Sequence, residues 1–151
     1  MRKLVVDAMI IMVSQVVIAR ANGATPLSDA DRVNSGRAVY EQHCASCHGA
    51  NAEGAPNWQE HDAHGELPAP PHNAEGHTWL HSDADLYEMV NKGWRDPFNK
   101  STRLTMPAFG GVLSPEQIRA VVTYLKTLWT LEQTQFQSEE SQGHSFPSEG
   151  R

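Results

Sequence analysis

Cys44-Ala45-Ser46-Cys47-His48 constrains this chain more than any other stretch. The pattern C-x-x-C-H sets two thiols three positions apart, with an imidazole directly after the second. Each thiol can form a thioether with one vinyl group of a porphyrin, and the histidine is then held under the iron, so the motif reads as a c-type haem attachment site. The chain has 2 cysteines, and both lie in the motif. A structural zinc site asks for four ligands, usually two Cys or His pairs, and there is no second Cys pair. A thioredoxin-like C-x-x-C sits beside a βαβ pattern, which this sequence lacks. A disulfide across so short a loop stabilises little. The expectation is one haem c per chain, with Cys44 and Cys47 as tethers and His48 as proximal ligand.

A chain of 151 residues is enough for one domain of ordinary size. Glycine and proline are plentiful and large aliphatics modest, which fits a small domain that covers a cofactor and borrows its apolar face. The formal net charge of −6 argues against a nucleic-acid partner. Residues 1–21 read as an export signal: basic Met1-Arg2-Lys3, a largely apolar run from Leu4 to Ala19, and Ala19-Arg20-Ala21 as a cleavage pattern. Asp7 and Ser14-Gln15 interrupt the run, which is short for a membrane span. Cleavage after Ala21 would leave 9 basic and 17 acidic residues, a formal charge of −8, and no stable membrane span in the mature chain. An uncleaved segment would instead anchor it. Covalent haem attachment in bacteria also requires export, so the expected location is the periplasm.

Residues 22–131 form the expected haem-binding domain. After the linker Asn22 to Leu27, Ser28 is a candidate N-cap, with Asp29 and Asp31 near the positive end of the first helix. Val33, Gly36, Val39 and Tyr40 recur at helical spacing, and the helix runs into Cys44. Gly36 lowers helix propensity, so close approach by another helix is its expected purpose. Residues 49–81 show no periodicity, and Pro68, Pro70 and Pro71 exclude regular helix. A long loop wrapping a haem edge is predicted. Ser82-Asp83-Ala84-Asp85 opens a further helix with Asp in the capping-box position; Leu86, Met89 and Val90 should face inward, and Gly93 should end it. Ser114-Pro115-Glu116-Gln117 is the clearest helix start. Ile118, Val121, Val122, Leu125, Leu128 and Trp129 follow as an apolar stripe. Residues 132–151 are polar, and their composition predicts a disordered tail.

The sixth iron ligand is the open position. Met106 lies 58 residues after His48, directly before Pro107, where an X-Pro bond holds it outside helical geometry. A thioether there favours ferrous iron. Met89 is the rival methionine, but fits the apolar face of a short helix. His61, His64, His72, His77 and His81 in the long loop are alternatives that would give bis-histidine iron, or a copper or zinc site. Taken singly, each reads as a solvated loop histidine. His43 is expected at the surface near the haem edge.

The chain resembles the class I monohaem c-type cytochromes. The resemblance rests on Gly36-Arg37-Ala38-Val39-Tyr40, on Cys44 to Gly49, on Met106-Pro107-Ala108-Phe109 and on Tyr124-Leu125. Within that class, Pro68 to Trp79 and Leu128-Trp129 look like the CccA-type cytochromes of bacterial envelopes. The resemblance implies an all-α cytochrome c fold, three to four short helices around one covalent haem, with long loops. It implies that the first and last helices cross near Gly36, where Tyr40 and Tyr124 match aromatic positions. It also carries over Cys44 and Cys47 as thioether sites, His48 as proximal ligand and Met106 as distal ligand. A proline carbonyl, from Pro70 or Pro71, is implied as acceptor for the proximal imidazole.

The expected function is one-electron transfer with His/Met ligation and no enzyme activity. Expected partners are a redox donor and acceptor, an oxidase or a copper protein among them. Two readings compete. One is a haem enzyme, or a gas- or peroxide-binding protein with a displaceable sixth ligand. The other is a copper-handling haem module in which the histidines from His61 to His81 bind the metal.

Overall fold

Four hydroxyl side chains start the four longer helices. In the computed structural model, which describes residues 28–97 and 103–148, Ser28 caps α1 (Asp29–His43) and Ser82 caps α3 (Asp83–Lys92). Ser114 caps α4 (Pro115–Lys126) and Thr130 caps α5 (Leu131–Glu140). Each hydroxyl accepts from the backbone N–H three residues on, at 3.1 Å to 3.3 Å. A cap of this kind contributes roughly 1 kcal/mol to its helix. Between α1 and α3 lie a single turn, α2 (Ala45–His48), and one 3-10 turn at Thr78–Leu80. Among the described residues there is no strand, only an isolated antiparallel bridge between Trp94 and Met106. The all-α expectation holds. The export signal of residues 1–21 and the linker to Leu27 lie outside the described residues.

α1 and α4 cross at Gly36, as the missing side chain predicts. A Cβ at Gly36 would overlap the Ala120 carbonyl and come within 2.9 Å of Tyr124 Cβ. One turn later the rings of Tyr40 and Tyr124 meet at 5.5 Å. The core spreads from that crossing: Val39 and Tyr40 from α1, Ile118, Val121, Val122 and Leu125 from α4, and Leu86, Tyr87 and Val90 from α3. Burying each aliphatic side chain is worth about 1.5–3 kcal/mol. On α3, Leu86 and Val90 face inward as expected. Met89 is half-buried and packs against the same core, at the rim of a surface depression shared with Trp94.

Residues 49–77 are irregular but tied down. Gly54 N–H reaches the His48 carbonyl at 2.8 Å, Ala55 N–H the Ala69 carbonyl at 2.8 Å, and His72 N–H the Ala52 carbonyl at 2.9 Å. The buried carboxylate of Glu66 pairs with the Arg103 guanidinium, its Nε at 2.7 Å, joining this loop to the segment before Met106.

The expected disordered tail is corrected by α5. Its start repeats the α4 signal, a Thr130–Gln133 capping box. Its polar composition hides one buried side chain: Gln137 is 1% exposed and donates to the His81 carbonyl, Asp83 Oδ1 and Ser141 Oγ at 3.2, 2.8 and 2.9 Å. Phe136 packs edge-on against Trp79, and Phe146 against Tyr87. A segment whose amide satisfies buried acceptors does not need a large apolar face to dock. No helix among the described residues is long and apolar enough to cross a membrane.

Candidate functional site

α1 delivers the motif. Cys44 N–H still bonds the Tyr40 carbonyl at 2.9 Å, and the chain then turns through α2 with His48 N–H on the Cys44 carbonyl at 3.0 Å. The buried Tyr40 hydroxyl donates to the Gly49 carbonyl at 2.8 Å, pinning the far end of the motif to α1. Burial, first of all, raises the Tyr40 phenol well above its ordinary pKa, so it stays a donor. Both thiols are free, Cys44 half-buried and Cys47 exposed. Burial first and the neighbouring Cys47 second push the Cys44 thiol up to about 11. A thiolate is penalised at that position, whereas an uncharged thioether is not.

His48 is 7% exposed, and its Nδ1 lies 2.8 Å from the Pro70 carbonyl oxygen. A carbonyl only accepts, so Nδ1 carries the proton and Nε2 keeps its lone pair for a metal. Burial lowers the His48 pKa, against a smaller raising effect of the Pro70 bond, which favours the neutral ligand form. Of the two candidate prolines, Pro70 supports the imidazole. The Pro71 carbonyl is taken by the Thr78 hydroxyl at 3.3 Å. Two free thiols and an imidazole with a committed Nδ1 fit haem c.

The segment carrying Met106 is stapled to the end of α3. Met106 and Trp94 exchange both backbone bonds at 3.0 Å, Phe109 N–H reaches the Val90 carbonyl and Gly110 N–H the Asn91 carbonyl, both at 2.9 Å. Gly93, at φ 77°, permits this: a Cβ would come within 2.6 Å of the Met106 carbonyl oxygen. Phe109 also meets the half-buried His43 ring edge-on at 6.2 Å, joining the Met106 segment to the helix that carries the haem motif.

The histidines of the long loop separate by environment. His61 and His64 are exposed, as is His77, which stacks on Trp58 at 5.9 Å and meets His81 at 5.6 Å. Among the described residues no three His, Cys, Asp or Glu side chains are grouped to hold a metal ion. The histidines from His61 to His81 are therefore not grouped as the copper site considered from sequence. His72 departs most from expectation. Its ring stacks on His48 at 3.9 Å with 26° between planes. Two rings stacked face to face would not offer their nitrogens to one metal from opposite sides, so His72 is not placed to be a second ligand facing His48. Thr78 and Trp129 lie in segments that carry the resemblance, but no signal in those segments assigned them a role beside His72.

A family model described as cytochrome c matches residues 33–129 of the chain. The cbb3-type cytochrome c oxidase subunit FixP of Sinorhizobium medicae (strain WSM419) is 28% identical over 106 residues, 70% of this chain and 33% of that one. The cbb3-type cytochrome c oxidase subunit CcoP of Rhodobacter capsulatus is 37% identical over 98 residues, 61% of this chain and 29% of that one. The chain thus spans about a third of the length of these curated relatives. Among solved structures, Cytochrome CL from the marine methylotrophic bacterium Methylophaga aminisulfidivorans MPT overlays with a TM-score of 0.46 at 18% identity, over 82% of this chain and 72% of that one.

Proposed function

Since this chain belongs to the cytochrome c family, as a monohaem class I member, we propose that it carries single electrons between redox proteins and is not itself an enzyme. The covalently bound haem c supplies the redox chemistry, one electron per iron. Cys44 and Cys47 tether it, His48 offers Nε2 as proximal ligand, and Met106 is the distal ligand. The observation that carries the reading is the His48–Pro70 bond of 2.8 Å, which fixes the tautomer a metal ligand needs. Support for Met106 is the two-sided backbone bridge to Trp94, which holds its main chain outside a helix. A ligand set that is closed before and after electron transfer asks for little rearrangement of the chain.

The protein works on the periplasmic side after export. The names of its relatives, subunits of cbb3-type oxidases, support a terminal oxidase as partner; a copper protein fits the same role. A formal charge of −6, or −8 once residues 1–21 are removed, steers the chain to basic surfaces on such partners.

The test is optical. Wild-type protein matured with haem should show a c-type reduced-minus-oxidised spectrum and, when ferric, the weak far-red band of a sulfur–iron bond. Met106→Ala should keep the haem attached, lose that band and turn high-spin. An unchanged spectrum would remove Met106 from the iron. Peroxide or gas binding by the resting wild-type protein would favour an enzyme or sensor.

A further inference from the structure

We propose that His72 is a positioning residue whose stacked ring sets the plane of the His48 imidazole and thereby tunes the iron. The inference rests on the reading of His48 as an iron ligand. Orienting a flat ligand takes two constraints. The bond from His48 Nδ1 to Pro70 lies in the ring plane and fixes where the ring points. A bond within the plane does little to oppose tilting of that plane. A flat neighbour does, and His72 lies across the His48 face at 3.9 Å.

His72 is itself held at three places. Its N–H donates to the Ala52 carbonyl at 2.9 Å, and its carbonyl accepts from Trp129 Nε1 at 2.9 Å. Its Nδ1 lies 2.8 Å from Thr78 Oγ1. The Thr78 hydroxyl donates to the Pro71 carbonyl, so its lone pair accepts from the His72 Nδ1–H. The consecutive carbonyls of Pro70 and Pro71 thus anchor the two stacked rings, one directly and one through Thr78. A leucine at position 72 would fill space without offering a flat face or an anchor. The plane of an axial imidazole governs the splitting of the iron d levels, so such partners act on the metal through its ligand.

The experiment compares haem-loaded wild type, His72→Leu, His72→Phe, Thr78→Val and Gln137→Ala by ferric electron paramagnetic resonance, midpoint potential and melting temperature. His72→Leu should move the low-spin g values and the potential. His72→Phe keeps a flat face and should stay closer to wild type. Thr78→Val frees the ring and should broaden the signal; it also serves if His72→Leu fails to load haem. Gln137→Ala loosens α5 without touching His72, and should lower the melting temperature while leaving the g values in place. Unchanged g values in both His72→Leu and Thr78→Val would overturn the proposal. So would equal shifts in the Leu and Phe variants, or the same shift in Gln137→Ala. A low-spin, histidine-ligated signal in wild type keeps the ligand reading standing whatever the variants do; its absence overturns that reading and this one with it.

Discussion

His48 Nδ1 and the Pro70 carbonyl oxygen lie 2.8 Å apart, across 22 residues of chain. That one bond turns an irregular loop into a wall behind the His48 imidazole. The loop is held from other sides as well, by Ala52 on His72 N–H and by Trp129 on the His72 carbonyl. His48 is thereby coupled to Trp129, three residues beyond α4, through a path of hydrogen bonds that contains no regular structure.

Replacing both Cys44 and Cys47 by Ala should abolish covalent haem while leaving α1 and α4 able to cross, because the crossing is made at Gly36, Tyr40, Ala120 and Tyr124 and uses neither thiol. Haem staining on a denaturing gel checks this. Stain that persisted in the double variant would place the tether elsewhere.

Gly36→Val should lower stability by at least about 1–3 kcal/mol, the usual cost of overpacking. The new side chain would start inside the Ala120 carbonyl, which is backbone and cannot swing away. A denaturant midpoint gives the measurement. A wild-type midpoint would mean that α1 and α4 approach less closely than at this crossing.

Much of this was legible in the sequence for a local reason. Ser28, Ser82 and Ser114 announce helices because a cap acts within three residues, and Gly36 announces a crossing because a helix tolerates glycine poorly. The haem motif is contiguous, so its chemistry can be read without a fold. What was missed depends on contacts distant in sequence. Gln137 looks solvated until His81 and Asp83, more than fifty residues away, are placed beside it. His72 looks like one more loop histidine until the loop folds back onto His48. The Thr130–Gln133 box acts as locally as the other caps and is the signal that marks the start of α5.

Gln137→Ala should therefore cost about 1–3 kcal/mol, the range for stranding buried hydrogen-bonding groups. Gln135 on the exposed side of the same helix is the control, and Gln135→Ala should fall within about 0.5 kcal/mol of wild type. Urea melts of both separate a docked helix from a solvated one. Equal and negligible effects would show that α5 contributes nothing to stability.

Acid should weaken the fold well before the carboxylates titrate. Burial is the first cause lowering the pKa of His72 and His81; His48, with Nδ1 on Pro70 and Nε2 committed to the metal, takes no proton in this window. His72 faces His48 and His77, and His81 faces His77, so neighbouring imidazoles push the same way; Asp85 opposes in part at His81. A histidine whose folded pKa is depressed binds fewer protons folded than unfolded. Its stabilising contribution is complete above the unfolded value of about 6.5 and is lost as pH falls through the folded value. Ordinary carboxylates, at about 4, stay ionised through most of that window. The urea midpoint of the haem-loaded protein should hold steady from pH 8 to about 7 and decline towards pH 5. His81→Gln removes one of the two groups, and its decline should be shallower. A midpoint flat to pH 5 would mean that these imidazoles are hydrated in the folded protein, and that the loop from 49 to 81 packs more loosely than its hydrogen bonds indicate.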